Sequence, residues 1–141
     1  MTITSREAAA AFGDPSTEAH MVRLVLPTNL RAGAVPAAVY CNKLLVEPLK
    51  KALGLVLARG LDKQILTWDG CFNVRKKRGT VTTPSLHSWG LAIDINASWN
   101  RLGQPPTMSK ELVACFVEAG FEWGGSWKRP DGMHFQLAAL T

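Results

Sequence analysis

Apolar residues between Leu44 and Leu57 recur at steps of three and four: Leu44, Leu45, Leu49, Leu53, Val56 and Leu57. That spacing places them on one helical face and predicts a long helix from Val39 to Arg59. Pro48 should bend this helix or start it afresh, and Gly60 suits its C-terminal end. A shorter helix is predicted from Ser5 to about Phe12, opened by the capping box Thr4-Ser-Arg-Glu7 and stopped at Gly13-Asp-Pro15. A third runs from Lys110 to Ala119, capped by Ser109 and closed by Gly120, with Leu112, Val113, Phe116 and Val117 toward the core. Extended segments are predicted at Val22–Leu26, Gln64–Trp68, Leu91–Asn96 and Met133–Leu137, with Asp69-Gly70 as a turn. Residues 70–86 read as a long polar loop, and the stretch from Trp99 to Pro106 as another. The pattern predicts an α+β architecture, a few helices packed on a small antiparallel sheet in one domain over 1–141.

Alternate side chains of a strand share a face. Along 91–96, Ala92, Asp94 and Asn96 point one way and Leu91, Ile93 and Ile95 the other. Along 133–137, His134 and Gln136 share a face opposite Met133, Phe135 and Leu137. Each strand has an apolar side for the core and a polar side for chemistry. If the two strands are neighbours, Asp94 and His134 converge. His87 lies just before the first of them, and Gly90 lets that loop bend back over the polar face.

Size and composition narrow the field. A chain of 141 residues builds one core, and 47% hydrophobic with 19% charged residues marks a globular protein rather than a disordered one. The longest apolar candidate for a membrane span, Leu53 to Leu57, is far too short and is flanked by Lys50, Lys51 and Arg59. The first residues, Met1-Thr-Ile-Thr-Ser-Arg-Glu7, lack the basic and apolar regions of a secretory signal, so an extracytoplasmic target must be reached by another route. Cys41, Cys71 and Cys115 form no C-x-x-C pair. They read as small core residues, with one disulfide and a leftover thiol as the alternative. The net charge of +5 and a pI near 9.4 suggest an acidic partner. The densest basic run, Arg75-Lys-Lys-Arg78, has no interleaved aromatics, which is a weak signal for nucleic acid and fits a solvated loop or attraction to an anionic cell envelope.

Two of the three histidines lie in short stretches that also carry carboxylates, Ser85-Leu-His87-Ser-Trp-Gly90-Leu-Ala-Ile-Asp94 and Asp131-Gly-Met-His134. Two imidazoles and one carboxylate suit a three-ligand zinc site with an open position, and a further carboxylate suits a base acting on water there. Each residue also has a plainer reading. Asp94 inside Ile93-Asp-Ile95 needs a partner to be buried, and an arginine would serve as well as a metal. Asp131 fits a turn in Pro130-Asp-Gly132. Trp89, Trp123 and Trp127 are either core packing or pocket walls. His20, with no partner motif around it, reads as an ordinary surface or half-buried histidine.

The stretch Ser85-x-His87-x-x-Gly90-x-Ala92-x-Asp94, followed by Trp123-Gly-Gly, Trp127 and Asp131-x-x-His134-Phe135, closely resembles the M15 family of zinc peptidases. That family includes D-alanyl-D-alanine carboxypeptidases and phage L-alanyl-D-glutamate endolysins. Gly70-Cys-Phe-Asn73-Val-Arg75 and Gly79 are similar to the family's segment upstream of the first ligand, although Phe72 stands where tyrosine is common. The resemblance covers about residues 37–137. It implies a fold of the hedgehog/DD-peptidase type and one Zn2+ held by His87, Asp94 and His134. It further implies Asp131 as the catalytic carboxylate, Arg75 as the cation that steadies substrate oxygens, and Ser85 as support for substrate or for the first ligand. Arg78 is the alternative to Arg75, which is preferred by position.

The resemblance implies hydrolysis of peptidoglycan stem peptides. L-alanyl-D-glutamate cleavage during phage-mediated lysis is favoured, with D-alanyl-D-alanine carboxypeptidase activity as the alternative. The enzyme is then expected to be a monomer without nucleic-acid partner or membrane anchor, made in the host cytoplasm and reaching the periplasmic wall after holin-mediated release. Two other classes compete: a non-catalytic wall-binding module, disfavoured by the intact set His87, Asp94, Asp131 and His134, and a nucleic-acid-binding module resting on charge alone.

Overall fold

Two antiparallel sheets organise the chain, and part of the smaller one lies where the apolar spacing predicts helix. The computed structural model describes residues 2–73 and 85–140. Strand β1 (Met21–Val25) pairs with β2 (Ala38–Asn42) from Met21↔Asn42 to Val25↔Ala38. Residues 39–42 are therefore extended rather than helical. Val39 and Cys41 are buried while Tyr40 between them is exposed, a period of two that the leucine-rich stretch behind it obscures. The helix itself, α2 (Val46–Ala58), begins after a 3-10 turn over Lys43–Leu45. Pro48 sits in its first turn, where a missing N–H breaks no helical bond, so the proline neither bends nor restarts it. Leu49, Ala52, Leu53 and Val56 form its buried face.

The other helices match their expected bounds, but Val117, expected toward the core, is exposed, and its helix buries Cys115 and Ala119 beside Leu112 and Phe116 instead. Helix α1 (Ser5–Phe12) carries the complete capping box between Thr4 and Glu7. Helix α3 (Lys110–Ala119) starts with the Ser109 hydroxyl accepting from the Leu112 N–H and ends at Gly120 in the left-handed region. The α+β reading holds.

The larger sheet runs in the order β3-β4-β6-β5, comprising β3 (Trp68–Gly70), β4 (Ala92–Ile95), β6 (His134–Leu137) and β5 (Phe121–Trp123). Two of these differ from expectation. The strand expected at 64–68 begins only at Trp68, and Gly70 is its last residue rather than a turn. Asn96 explains the shift. Its Oδ1 accepts from the N–H groups of Leu66 (2.8 Å) and Thr67 (3.2 Å), and its Nδ2 donates to the Gln64 carbonyl (2.9 Å). One side chain thus satisfies the backbone that a neighbouring strand would otherwise pair. Strand β5 falls in a segment for which the sequence predicts no strand. It pairs with β6 from Phe121↔Leu137 to Trp123↔Phe135.

The alternation predicted for β4 and β6 decides which face meets the core. Ile93, Ile95, Phe135 and Leu137 join α2 and α3 in one apolar cluster. Phe116 of α3 anchors it, with ring centroids 4.7 Å from Phe135 and 5.7 Å from Phe121. All three cysteines are free and buried. Burial pushes the Cys41 thiol up to about 11 and raises Cys71 well above its ordinary value, so these two are core side chains, not reactive thiolates, at neutral pH. No described helix is long and apolar enough to cross a membrane.

Candidate metal centre

The opposite face of the same sheet carries Asp94, His134 and Gln136. Asp94 and His134 are direct partners in the β4–β6 register, so the backbone ladder holds both side chains side by side. His87 arrives from a 3-10 turn over Leu86–Trp89 that begins and ends on identifiable residues. Ser85 opens it, its hydroxyl accepting from the His87 N–H at 3.2 Å. Gly90 closes it at φ 66, in the left-handed region. A Cβ on Gly90 would stand 2.6 Å from the Asn42 nitrogen, so the turn can lie against β2 only as glycine. Asn42 then pins it by donating from its backbone N–H to the Gly90 carbonyl and from Nδ2 to the Trp89 carbonyl. The small sheet thereby fixes the position of His87.

Three side-chain donors meet at one point. His87 Nε2 lies 3.1 Å from Asp94 Oδ2, and His134 Nδ1 lies 3.4 Å from Asp94 Oδ1. One ligand atom from each of His87, Asp94 and His134 falls within 4.8 Å of the others, and all three residues are buried. Two ligands on a tetrahedral zinc stand about 3.4 Å apart, given bonds of about 2.1 Å. The donor spacing therefore suits such an ion.

Hydrogen bonds on the far side of each ring orient the lone pairs inward. His87 Nδ1 lies 2.7 Å from the Cys71 carbonyl, and His134 Nε2 lies 2.8 Å from Gln136 Oε1. A carbonyl oxygen can only accept, so these outer nitrogens carry the protons. The inner nitrogens, His87 Nε2 and His134 Nδ1, keep lone pairs for a metal in that tautomer. Gln136 was legible in the sequence only as a neighbour on the His134 face, and its orienting role was not. Burial pushes the Asp94 carboxyl up, but without a metal, when the inner nitrogens of His134 and His87 are protonated, their hydrogen bonds and charge outweigh it and hold the group well below the usual carboxylate range. The group is a carboxylate at neutral pH, as a metal ligand must be.

Asp131 lies in the same region. It opens a turn closed by the His134 N–H onto the Asp131 carbonyl at 3.0 Å, so the turn reading of this residue holds. It is 5% exposed, yet it lines, with His134 and Ser85, a cleft of about 640 Å3. Gly124 makes this possible by close approach. A Cβ there would meet the Asp131 carbonyl oxygen at 2.6 Å and the His134 Cβ at 3.3 Å.

The tryptophans divide between the two roles left open for them. Trp89 is buried and donates to the Gly13 carbonyl, and Trp123 packs on Phe135. Trp127 lines the cleft, with its ring centroid 5.4 Å from that of His134. His20 is buried rather than superficial and packs on Phe12. Arg75, Arg78 and most of the polar loop lie outside the described residues.

Residues 78–137 match the family model described as D-alanyl-D-alanine carboxypeptidase, of the M15 peptidases. The search of curated proteins and the search of solved structures gave no match. The family match supports a peptidase that acts on peptidoglycan. That segment carries His87, Asp94, Asp131 and His134, and over it the chain is similar to the M15 peptidases.

Proposed function

We propose that this protein is a zinc-dependent peptidoglycan peptidase that hydrolyses stem-peptide bonds, with one Zn2+ on His87, Asp94 and His134. The observation that carries the reading is the convergence of those three buried donors beside a cleft that also holds Asp131. When bound, the ion supplies Lewis acidity at neutral pH. Asp131 accepts the proton of the attacking water and returns it to the leaving amine. Arg75 steadies the oxyanion that develops on the substrate carbonyl. Ser85 holds the turn that presents His87 and faces the cleft where substrate lies.

Within this reading we favour L-alanyl-D-glutamate endopeptidase activity in phage-mediated lysis, with the enzyme passing from the host cytoplasm to the wall after holin action. This form rests on analogy with the phage endolysins among the proteins the motifs resemble. The matched model's description favours a second form, D-alanyl-D-alanine carboxypeptidase activity. Purified walls from outer-membrane-permeabilised Gram-negative cells, followed by turbidity and mass spectrometry of released peptides, separate the two. New L-Ala or D-Glu termini, lost on chelation and restored by zinc, establish the endopeptidase. Loss of terminal D-Ala alone establishes the carboxypeptidase. A zinc-loaded protein that binds walls and cuts nothing is a binding module. Asp131→Asn should retain the metal and lose turnover, and full activity in that variant would remove Asp131 from the base role.

A further inference from the structure

We infer that the N-terminal segment Thr2–Arg6 is a wall of the substrate cleft, and that Arg6, with Lys128 and Arg129, selects peptides bearing a free carboxylate. The inference rests on the peptidase reading and adds a specificity determinant that the metal motifs do not contain.

The segment is built into the cleft. Residues Thr2 through Arg6 all line it, together with Trp127, Lys128 and Arg129. Ile3 is buried in the apolar core, and Thr4 is fixed by the capping box of α1. Thr2 Oγ1 donates to Glu122 Oε2 at 2.8 Å, and the same oxygen accepts from Trp127 Nε1 at 2.6 Å. One carboxylate therefore ties the N-terminal segment to the tryptophan that packs on His134. The wall and the candidate metal centre are held as one piece.

The charge of the cleft follows from the same residues. Among the described residues its lining carries three cations, Arg6, Lys128 and Arg129, against the single carboxylate of Asp131. The nearby acids are engaged elsewhere: Glu122 by Thr2 and Trp127, and Glu7 by Thr4. Arg6, Lys128 and Arg129 are exposed, and none forms an ion pair among the described residues. Cations on the rim of a concave surface attract an acidic ligand more strongly than the same charges on a flat one. The forked guanidinium of an arginine also suits the two oxygens of a carboxylate. In a stem peptide that carboxylate comes either from D-glutamate or from a C-terminal D-alanine.

Calorimetry on the full-length, zinc-loaded Asp131→Asn protein tests the inference without turnover. Two peptide pairs are compared, one with the D-Glu carboxylate free or amidated, the other with the C-terminal D-Ala carboxylate free or amidated. In at least one pair the amide should bind roughly three- to tenfold more weakly, the range expected for one or two exposed charge contacts. The pair that responds identifies the source of the carboxylate. Adding Arg6→Gln should shrink that preference toward unity, Arg6→Lys should restore part of it, and added salt should weaken it. The Lys128→Gln/Arg129→Gln pair should act in the same direction. A carboxylate preference unchanged by Arg6→Gln, equal binding of acid and amide in both pairs, or no binding of any peptide would overturn the inference. Turnover by the wild type separates this from the parent reading. Cleavage of acid and amide at equal kcat/KM removes the inference and leaves the peptidase. Selective binding without cleavage removes the peptidase and leaves the inference.

Discussion

Asp94 and His134 face each other as register partners across β4 and β6, and the 3.4 Å between Asp94 Oδ1 and His134 Nδ1 is set by that ladder. Two of the three candidate ligands thus belong to the two central strands of the sheet. The third, His87, is brought to them by a turn clamped on β2. Such a site is largely formed before an ion arrives, because strands hold side chains more tightly than loops do.

This arrangement makes Asp94 the hinge of metal affinity. Zinc at a hundredfold excess over its Kd should stabilise the wild type by about 2.7 kcal/mol, a Tm rise on the order of 10 °C for a domain of this size. Asp94→Ala should lose most of that rise, because it removes the only anionic member of the set. Thermal melts with and without zinc check this, and an unchanged zinc-dependent rise in Asp94→Ala would place the ion elsewhere.

Gln136 lines the cleft but should matter chiefly through His134. Its Oε1 holds the His134 Nε2 proton on the outer side of the ring. Gln136→Leu removes the acceptor, frees the ring to change tautomer, and should weaken zinc binding about 10- to 100-fold. Competition with a chromophoric chelator reads the change directly. Gln136→Glu, which keeps an acceptor, should preserve far more affinity than the leucine variant.

Gly124 should be sensitive for a different reason. The alanine Cβ would press on backbone of Asp131 and on the Cβ atoms of Asp131 and His134, none of which can swing aside. Gly124→Ala should destabilise the fold by about 1–3 kcal/mol. The displaced carboxylate should also lower kcat on the order of 100-fold with a smaller change in KM. Wild-type kcat in Gly124→Ala would show that the position of Asp131 is not critical.

What the sequence revealed and what it hid divide along one physical line. Local signals read correctly: the Thr4–Glu7 capping box, the Ser109 and Gly120 boundaries of α3, and the alternation that sends Asp94 and His134 to one face. Features decided by distant partners did not. Strand β5 has only three residues, too few to show a period, and exists because it pairs with 135–137. The start of β3 depends on the Asn96 side chain about 30 residues away. The part played by Thr2–Arg6 depends on Glu122 and on the walls of a cleft made by the far end of the chain. Residues 39–42 misled because Val39 and Cys41 alternate just ahead of a strongly helical leucine pattern.

The last prediction concerns acid. His20 is buried against Phe12 of α1, and neither of its ring nitrogens has a hydrogen-bond partner among the described residues. Burial lowers its pKa below the ordinary value of 6.5, Glu18 opposes the shift, and Lys43 adds to it. Between that lowered value and 6.5 the unfolded chain binds a proton at this site and the folded chain does not. Stability therefore rises with pH across the window. The contribution is complete above pH 6.5 and is lost as pH falls through the folded-state value. Melts of the metal-free protein from pH 8 to pH 5 should show Tm falling below about 6.5, the unperturbed histidine pKa, and His20→Leu should fall less. The rest of the chain is the same in both proteins, so the difference between the two curves isolates His20. Parallel curves would mean that His20 accepts its proton inside the fold at no cost, and that acid acts through other groups.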